Sequence, residues 1–357
     1  TKRGKICFYK DYLYISSPDK GIHIVDNRNP ASPRIAGFVE LIGNEDLSIK
    51  DDKLYADSYV DLVWFDISDP ERPELEGRVE NAFRYALPTI ENGYGFDYNM
   101  CYSEEARAKG VVVGWEPKER EETIYHYPSY GDAAPGTSTQ GVNGSMARFS
   151  IYGKYLYTVE QNIMCVFDLS GDKPVLTTND IWLQRGVETL FNYKDKMFMG
   201  TPTGMLIYSL EDPLAPKYRS SVSHVFGCDP VVVEDDLAYV TVHSGNTCGQ
   251  NTNELMLIDV SDVDQPNLLV TYGMKCPKGL GIDNGTLFLC DEGLKVFNAK
   301  DPMTLLANQL VHYAGMEGYD VIPFKNTLMM IADDGLYQYD YSNLQAISQL
   351  SKLPMGE

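Results

Sequence analysis

The chain has 357 residues, of which 43% are hydrophobic and 23% are charged. These are ordinary values for a folded protein with a large core, so a wholly disordered chain is excluded. The 51 acidic residues outnumber the 30 basic ones and give a formal net charge of -21, which excludes nucleic acid as an expected partner because its phosphates would be repelled. No apolar run approaches the roughly 18 residues of a transmembrane helix, so no membrane-spanning segment is expected.

A unit of about 40 residues is repeated along the chain. Each copy has an apolar run that ends at a small polar residue and is followed by a turn, as in Asp61-Leu-Val-Trp-Phe-Asp66. There are seven such closing residues, namely Asp26, Asp66, Asp168, Ser209, Asp259, Asn298 and Asp340. Successive closing residues are 40, 102, 41, 50, 39 and 42 positions apart, so inserted residues are expected in two places.

Each unit also contains other short apolar runs. One lies about eleven residues before the closing residue, as in Lys53-Leu-Tyr-Ala56, and polar pairs such as Asp51-Asp52 precede it. Four short strands in each of seven units predict an all-β fold, a seven-bladed β-propeller of four-stranded blades, as a single domain over residues 1–357. The alternative is a series of hairpins in a two-domain sandwich. The first and last strands predict ring closure between complete blades, without strand exchange.

The closing runs resemble a known repeat. Ile22-His-Ile-Val-Asp26, Leu62-Val-Trp-Phe-Asp66, Leu255-Met-Leu-Ile-Asp259 and the looser Leu294-Lys-Val-Phe-Asn298 resemble the LVIVD repeat of bacterial, Bacteroidetes-type exported lipoproteins. The copies at 205–209 and 336–340 depart from the pattern. The resemblance implies a propeller that is exported to the periplasm, or to the cell surface or outer membrane on a lipid tether. It implies a fold and a location, and no reaction.

Both insertions are predicted to lie on one face of the propeller. In a four-stranded blade, the loop between the second and third strands shares a face with the connection to the next blade. Residues 81–145 connect blade 2 to blade 3, and residues 243–253 join the second and third strands of blade 5. We call this face the decorated face. Long loops on a rigid scaffold are where binding residues concentrate, so we expect a protein or a glycan to bind here.

The longer insertion is rich in aromatic residues, with ten in 65 positions. Aromatic rings stack on sugars and anchor protein interfaces. The candidate ligand-binding aromatics are Tyr94, Tyr98, Trp115, Tyr125 and Tyr127. Alternatively, the rings form a small core within the insertion. An extra strand is predicted over residues 110–116 and a flexible arm over residues 131–141.

Residues that open the innermost strands are predicted to surround a central funnel on the decorated face. The candidates are Asp46, Arg148, Glu188, Asp229 and Asp320. Four carboxylates at one mouth could hold Ca²⁺ or a cationic group of a ligand. The alternative is that these acidic residues accept hydrogen bonds from nearby backbone amides. No calcium-loop motif is present, and no other cofactor is expected.

Two cysteines and two histidines are predicted to gather at one edge of the decorated face. Cys228 and Cys248 are a candidate disulfide, which is the simplest interpretation for an exported protein. Unlinked thiols are a second possibility. A metal site that adds His224 and His243 is a third, although the spacing matches no known zinc signature.

No linear catalytic motif is present in the sequence. Propeller enzymes can nevertheless draw two carboxylates from different blades, which leaves no such motif. The sequence therefore predicts a monomeric binding or scaffold module. The alternative is a glycosidase-like or lyase-like enzyme that uses the carboxylates of the central funnel.

Overall fold

The computed structural model describes residues 5–18, 20–88, 97–117, 148–160, 162–223, 230–243 and 252–355. These residues form seven sheets, each of which contains four antiparallel strands that are consecutive in the chain. The predicted seven-bladed β-propeller is confirmed. No helix in the described ranges is long and apolar enough to cross a membrane.

The first four blades contain strands β1 to β16. Blade 1 comprises β1 (Ile6–Tyr9), β2 (Tyr12–Ser17), β3 (Gly21–Asp26) and β4 (Arg34–Glu40). Blade 2 comprises β5 (Leu47–Lys50), β6 (Lys53–Ser58), β7 (Asp61–Asp66) and β8 (Glu74–Val79). Blade 3 comprises β9 (Phe149–Tyr152), β10 (Tyr155–Glu160), β11 (Ile163–Asp168) and β12 (Val175–Trp182). Blade 4 comprises β13 (Thr189–Tyr193), β14 (Lys196–Thr201), β15 (Gly204–Ser209) and β16 (Lys217–Ser223).

The last three blades contain strands β17 to β28. Blade 5 comprises β17 (Val231–Glu234), β18 (Leu237–Val242), β19 (Glu254–Asp259) and β20 (Asn267–Gly273). Blade 6 comprises β21 (Leu280–Asp283), β22 (Thr286–Cys290), β23 (Leu294–Asn298) and β24 (Gln309–Tyr313), with a 3₁₀ helix at Pro302–Asn308 before β24. Blade 7 comprises β25 (Gly318–Phe324), β26 (Thr327–Ala332), β27 (Gly335–Asp340) and β28 (Ser348–Leu353).

The closing residue of each repeat stabilises the turn that follows the third strand. Its side-chain oxygen accepts a hydrogen bond from the backbone N–H two residues later in all seven blades, as from Ser68 to Asp66 at 2.7 Å. The backbone N–H of the residue directly after the closing residue donates to a carbonyl in the first hairpin turn, as from Ile67 to Asp52 at 2.8 Å. Aspartate, asparagine and serine favour such turns because their short side chains reach the backbone. This chemistry explains the repeat.

We expect this repeated turn to make the protein sensitive to acid. Hydrogen bonds from Ser68 and Ser261 lower the pKa of Asp66 and Asp259, and those from Ser170 and then Lys154 lower the pKa of Asp168 to about 2. A carboxylate with a lowered folded-state pKa contributes stability above its unfolded pKa of roughly 4, and that stability is lost as the pH falls through the folded value. The melting temperature should therefore fall between pH 5 and pH 2.5. Asp66→Asn and Asp259→Asn together should flatten this fall, and an equal fall in the variant would contradict the account.

The core lies between neighbouring blades. Seven clusters of buried apolar side chains fill the seven boundaries, and one of them joins Ile15 of blade 1 to Ile331 of blade 7. At this last boundary the side-chain amides of Asn27 and Gln338 exchange hydrogen bonds of 3.1 and 2.7 Å. The Ser351 hydroxyl donates to the Pro30 carbonyl at 2.6 Å. The ring therefore closes between complete blades, as predicted.

The described part of the insertion contains two short helices instead of a strand. Helix α1 spans Tyr98–Tyr102 and helix α2 spans Glu104–Lys109, where the Ser103 side chain accepts a hydrogen bond from the Ala106 N–H at 3.1 Å. The extra strand predicted over residues 110–116 is wrong, because no described strand pairs with this segment. A run of apolar residues without a partner edge remains irregular. The predicted flexible arm at 131–141 lies outside the described residues.

Candidate functional site

A pocket opens on the decorated face between blades 2 and 3. We call it the blade 2–3 pocket. Its charged lining residues are Glu45, Asp57, Arg148 and Glu160. The remaining lining residues are Gly43, Tyr59, Phe83, Ala86, Leu87, Pro88, Val112, Phe149 and Val159. The pocket therefore combines a charged floor with a wall that the insertion largely supplies.

The charged residues reach the pocket from four separate segments. Glu45 lies in the connection before β5, and Asp57 lies near the end of β6. Arg148 directly precedes β9, and Glu160 ends β10. Each of these positions is at or just beyond the strand end that lies on the decorated face. The antiparallel pairing of strands within each blade brings these ends to the same face.

Arg148 is at the centre of the charged floor. Its guanidinium contacts Glu160 at 3.1 Å and Asp57 at 3.7 Å, and it also donates to Glu45. The side chains of Arg148, Glu45, Asp57 and Glu160 are 18%, 27%, 10% and 21% exposed, respectively. Burial lowers the pKa of Arg148, but the surrounding carboxylates outweigh that effect and raise it overall. The guanidinium is therefore always charged.

Asp57 has the most altered titration in this floor. One of its oxygens accepts hydrogen bonds from Asn44 at 3.0 Å, the Glu45 N–H at 2.8 Å and the Asp46 N–H at 3.0 Å. Burial raises the pKa of Asp57 to about 8, against the opposing charge of Arg148. Burial also raises the pKa of Glu160. Near neutral pH, Asp57 is therefore largely protonated.

We expect Asp57→Asn to stabilise the protein selectively at high pH. A carboxyl whose folded pKa is raised contributes stability below its unfolded pKa of roughly 4, and this stability is lost as the pH rises through the folded value near 8. Asparagine keeps the acceptor oxygen and removes the titration. Wild type and variant should melt at similar temperatures at pH 5, and the variant should melt higher at pH 9. A constant difference across this range would contradict the raised pKa of Asp57.

Asp46, a predicted funnel residue, holds blade 2 to blade 3. It is buried, and its two oxygens accept from the N–H groups of Leu47 at 2.7 Å, Arg148 at 2.5 Å and Phe149 at 3.2 Å. The Lys5 ammonium lies 3.6 Å away. These hydrogen bonds agree with the alternative for the funnel residues, in which their carboxylates accept hydrogen bonds from nearby backbone amides. Ligand binding at Asp46 stays a prediction.

The other predicted funnel residues lie on different blades. Asp320 is buried in β25, against Gly279, and Glu188 is half-buried just before β13. Neither lines the blade 2–3 pocket. Asp229 lies outside the described residues. The structure thus brings together Asp46 and Arg148 and places Asp320 and Glu188 elsewhere.

Most of the other candidates fall outside the described residues. This is so for Tyr94, Tyr125, Tyr127, His224, Cys228, Cys248 and the side chain of Tyr98. The Trp115 indole N–H donates to the Pro88 carbonyl at 2.7 Å, which agrees with the alternative of an internal core in the insertion. His243 is half-buried after β18. Within the described ranges, no group of three or more His, Cys, Asp or Glu residues could hold a metal ion, and the calcium site stays a prediction.

Three residues of the charged floor, Glu45, Asp57 and Glu160, are not among the sequence candidates. Asp57 stands out when the second strands of the seven blades are compared position by position. The equivalent residues of the other blades are uncharged, namely Ser16, Val159, Gly200, Thr241, Cys290 and Ile331. A carboxylate at a buried strand position is costly without partners. Comparing the seven blades at this position of the second strand would have identified Asp57.

Comparison with known proteins supports the fold. The LVIVD repeat family model matches residues 4–40, 45–81 and 229–273, which contain blades 1, 2 and 5. None of the curated proteins compared matches the chain.

Among solved structures, a periplasmic gluconolactonase of Pseudomonas aeruginosa is 11% identical, with a TM-score of 0.62 and coverage of 97% of this chain and 96% of that one. Hsv2 of Kluyveromyces lactis is 10% identical, with a TM-score of 0.57 and coverage of 99% of both chains. BamB of Moraxella catarrhalis is 8% identical, with a TM-score of 0.53 and coverage of 92% of this chain and 81% of that one. At these identities the likeness establishes the fold alone. The chain is similar to LVIVD-repeat proteins in three blades, and over nearly its whole length it shares its fold with these three structures.

Proposed function

We propose that the protein is a binding module that recognises a protein or glycan through the decorated face, with the blade 2–3 pocket at the centre of the contact. One observation carries this proposal, namely that a single pocket joins four charged side chains to an apolar wall from the insertion. Ligand sites commonly combine apolar walls with a few convergent polar groups.

The opposite face has a different character. Its turns are short except in blade 6, and their carbonyls accept hydrogen bonds from neighbouring blades, as from the Tyr14 hydroxyl to Pro70 at 2.7 Å and from the Tyr157 hydroxyl to Pro213 at 2.8 Å. The Tyr272 hydroxyl binds the Pro302 carbonyl at 2.8 Å in the same way. These contacts hold the ring together. They leave the decorated face as the better candidate for recognition.

The proposal includes an exported location. The LVIVD-like blades support export to the periplasm or to the cell surface on a lipid tether, with the propeller acting as a monomer. Fractionation of the cells that produce the protein, with external protease treatment, tests this part. Recovery in the cytoplasmic fraction would contradict it.

Cross-linking in those cells tests the binding role. Ala82 and Phe83 are buried in the core between blades 2 and 3, so a deletion must begin after residue 88 to leave the fold intact. We therefore design a variant in which a Gly-Ser linker replaces residues 89–147. Mass spectrometry should identify a partner with the wild type that is lost with this variant. A linker in place of residues 244–251 is the matched control, and equal capture by all three forms, or capture by none, would overturn the proposal.

An enzymatic alternative has one observation in its favour. Asp57 is largely protonated near neutral pH, and a carboxyl that stays protonated at this pH can act as a general acid. A glycosidase-like or lyase-like activity in this pocket would be abolished by Asp57→Asn. Assays with a panel of oligosaccharides test the alternative, and turnover that survives this substitution would contradict it.

A further inference from the structure

We propose that the ligand is a protein that inserts a lysine or arginine side chain into the blade 2–3 pocket and covers the apolar residues around its mouth. This inference rests on the proposed binding function and names the class of partner. Three features of the described residues support it, namely the charge of the floor, the apolar lining of the wall and the exposed apolar residues connected to the pocket.

The charge balance of the floor favours a cation. Two carboxyls, from Glu45 and Glu160, face the single guanidinium of Arg148, and Asp57 adds acceptor oxygens without a full charge near neutral pH. Lys5 does not alter this balance, because it contacts Asp46 and donates to the Phe149 carbonyl at 2.9 Å. Glu45 and Glu160 retain the most exposure within the cluster. An anionic ligand would therefore meet acidic oxygens, whereas an ammonium or guanidinium would gain new partners.

The wall suits the stem of a long basic side chain. Ala86, Leu87, Pro88 and Val112 line it with apolar atoms. Lysine and arginine bury their methylene groups on apolar surface while the charged end reaches polar groups. Tyr59 is held at the same pocket with a φ of 56°, a rare conformation for an aromatic residue, and its N–H donates to the Gly43 carbonyl at 3.0 Å. Its ring lies close over Gly43 and is thereby fixed in place.

Five exposed apolar side chains are connected to the pocket through chain neighbours or ring contacts, and we call them the apolar rim. They are Ile42, Met100, Val111, Val113 and Trp182, with exposures of 54%, 75%, 43%, 60% and 63%.

Neighbouring residues connect the apolar rim to the pocket. Val111 and Val113 flank the lining residue Val112, and Ile42 precedes Gly43. The Trp182 ring lies 6.5 Å from that of Tyr85, which precedes the lining residue Ala86. The Tyr85 ring also lies 5.8 Å from that of Tyr102, in the same helix as Met100. Tryptophan and methionine are enriched in protein interfaces, so the rim favours a protein over a glycan.

Matched peptides test the inference directly. The probes are fluorescent heptapeptides that differ only at a central residue, which is Lys, Arg, norleucine or Glu between Leu and Trp neighbours. Norleucine keeps the aliphatic stem and removes the charge. Fluorescence anisotropy with the full chain at low salt should show Lys and Arg peptides binding about tenfold more tightly than the norleucine peptide. The Glu peptide should bind most weakly.

Two sets of variants assign this preference to the pocket. Glu45→Gln with Glu160→Gln should reduce the advantage of Lys over norleucine to about twofold or less. Val112→Lys keeps every carboxyl and adds a tethered ammonium at the wall, so it should block the Lys peptide. Val112→Met adds similar length without charge, and it should retain the preference. Circular dichroism checks that each variant is folded.

The outcomes separate this inference from the proposed function. Equal affinity for the Lys and norleucine peptides, or a preference for Glu, would overturn the inference. Capture of an oligosaccharide, weakened equally by Val112→Lys and Val112→Met, would also overturn the inference. The proposed function would still stand in that case, because it includes a glycan as ligand of this face. Partner capture that does not depend on residues 89–147 would overturn the proposed function, whatever the peptides show.

Discussion

Arg148→Met is expected to lower the free energy of unfolding by about 3 kcal/mol, the lower end of the range for breaking a buried ion pair. The substitution leaves the carboxyls of Glu45, Asp57 and Glu160 facing one another without a cation. The folded pKa values of Asp57 and Glu160, which burial already raises, should rise further. A raised carboxyl pKa contributes stability below the unfolded value of roughly 4 that is lost as the pH rises. The loss should therefore be small near pH 4.5 and largest near pH 8.5.

Urea denaturation at these two pH values measures the effect. Arg219→Met is the matched control, because Arg219 also pairs across a blade boundary, with Asp264, but half of the Asp264 side chain is exposed. An exposed pair contributes about 1 kcal/mol or less. If Arg148→Met costs no more than the control, or costs the same at both pH values, the charged floor does not have the energetic role assigned to it.

Gly204→Ala is expected to destabilise the propeller by about 3 kcal/mol, from backbone strain together with overpacking. Gly204 opens β15 with a φ of 144°, and an added Cβ would lie 2.0 Å from the Val222 carbonyl oxygen of β16. Residues other than glycine rarely adopt this backbone conformation. Three other blades have glycine at the equivalent position, with φ values of 144°, 113° and 150°, namely Gly21, Gly293 and Gly335.

Gly273→Ala is the control for this prediction. Gly273 ends β20, and an added Cβ would meet no atom within 4 Å. This variant should unfold at the same urea concentration as the wild type or slightly above it, because alanine reduces the freedom of the unfolded chain. Similar midpoints for Gly204→Ala and Gly273→Ala would show that the close approach of the third and fourth strands is not required.

The fold could be predicted from the sequence because its signal is local and repeated. The closing residue of each blade, such as Asp66 or Asp259, forms its turn within three positions of the chain. The helices α1 and α2 give a weaker signal, since five or six residues contain little periodicity. The sequence Ser103-Glu-Glu-Ala106 does carry a helix start, with a capping serine and two acidic residues in the first turn. The apolar residues that follow it gave the wrong prediction of a strand.

The site could be predicted only in part because its members are distant in the chain. Glu45 and Arg148 are 103 positions apart, and their contact depends on the packing of blade 3 on blade 2. Asp46 and Arg148 were identifiable as residues that open innermost strands. Their roles differ, however, because the Asp46 oxygens bind backbone amides, whereas Arg148 reaches the pocket floor. This difference depends on burial and on strand register, and neither can be read directly from the sequence.

Hydrogen exchange in the presence of the captured partner tests the central claim most directly. If the decorated face recognises the partner, amides in residues 41–46, 57–60, 82–88 and 107–115 should exchange more slowly in the complex. The turns on the opposite face, around Pro30, Pro70 and Pro213, should exchange at the same rate with and without it. Slower exchange at those turns, with no change around the blade 2–3 pocket, would contradict the account.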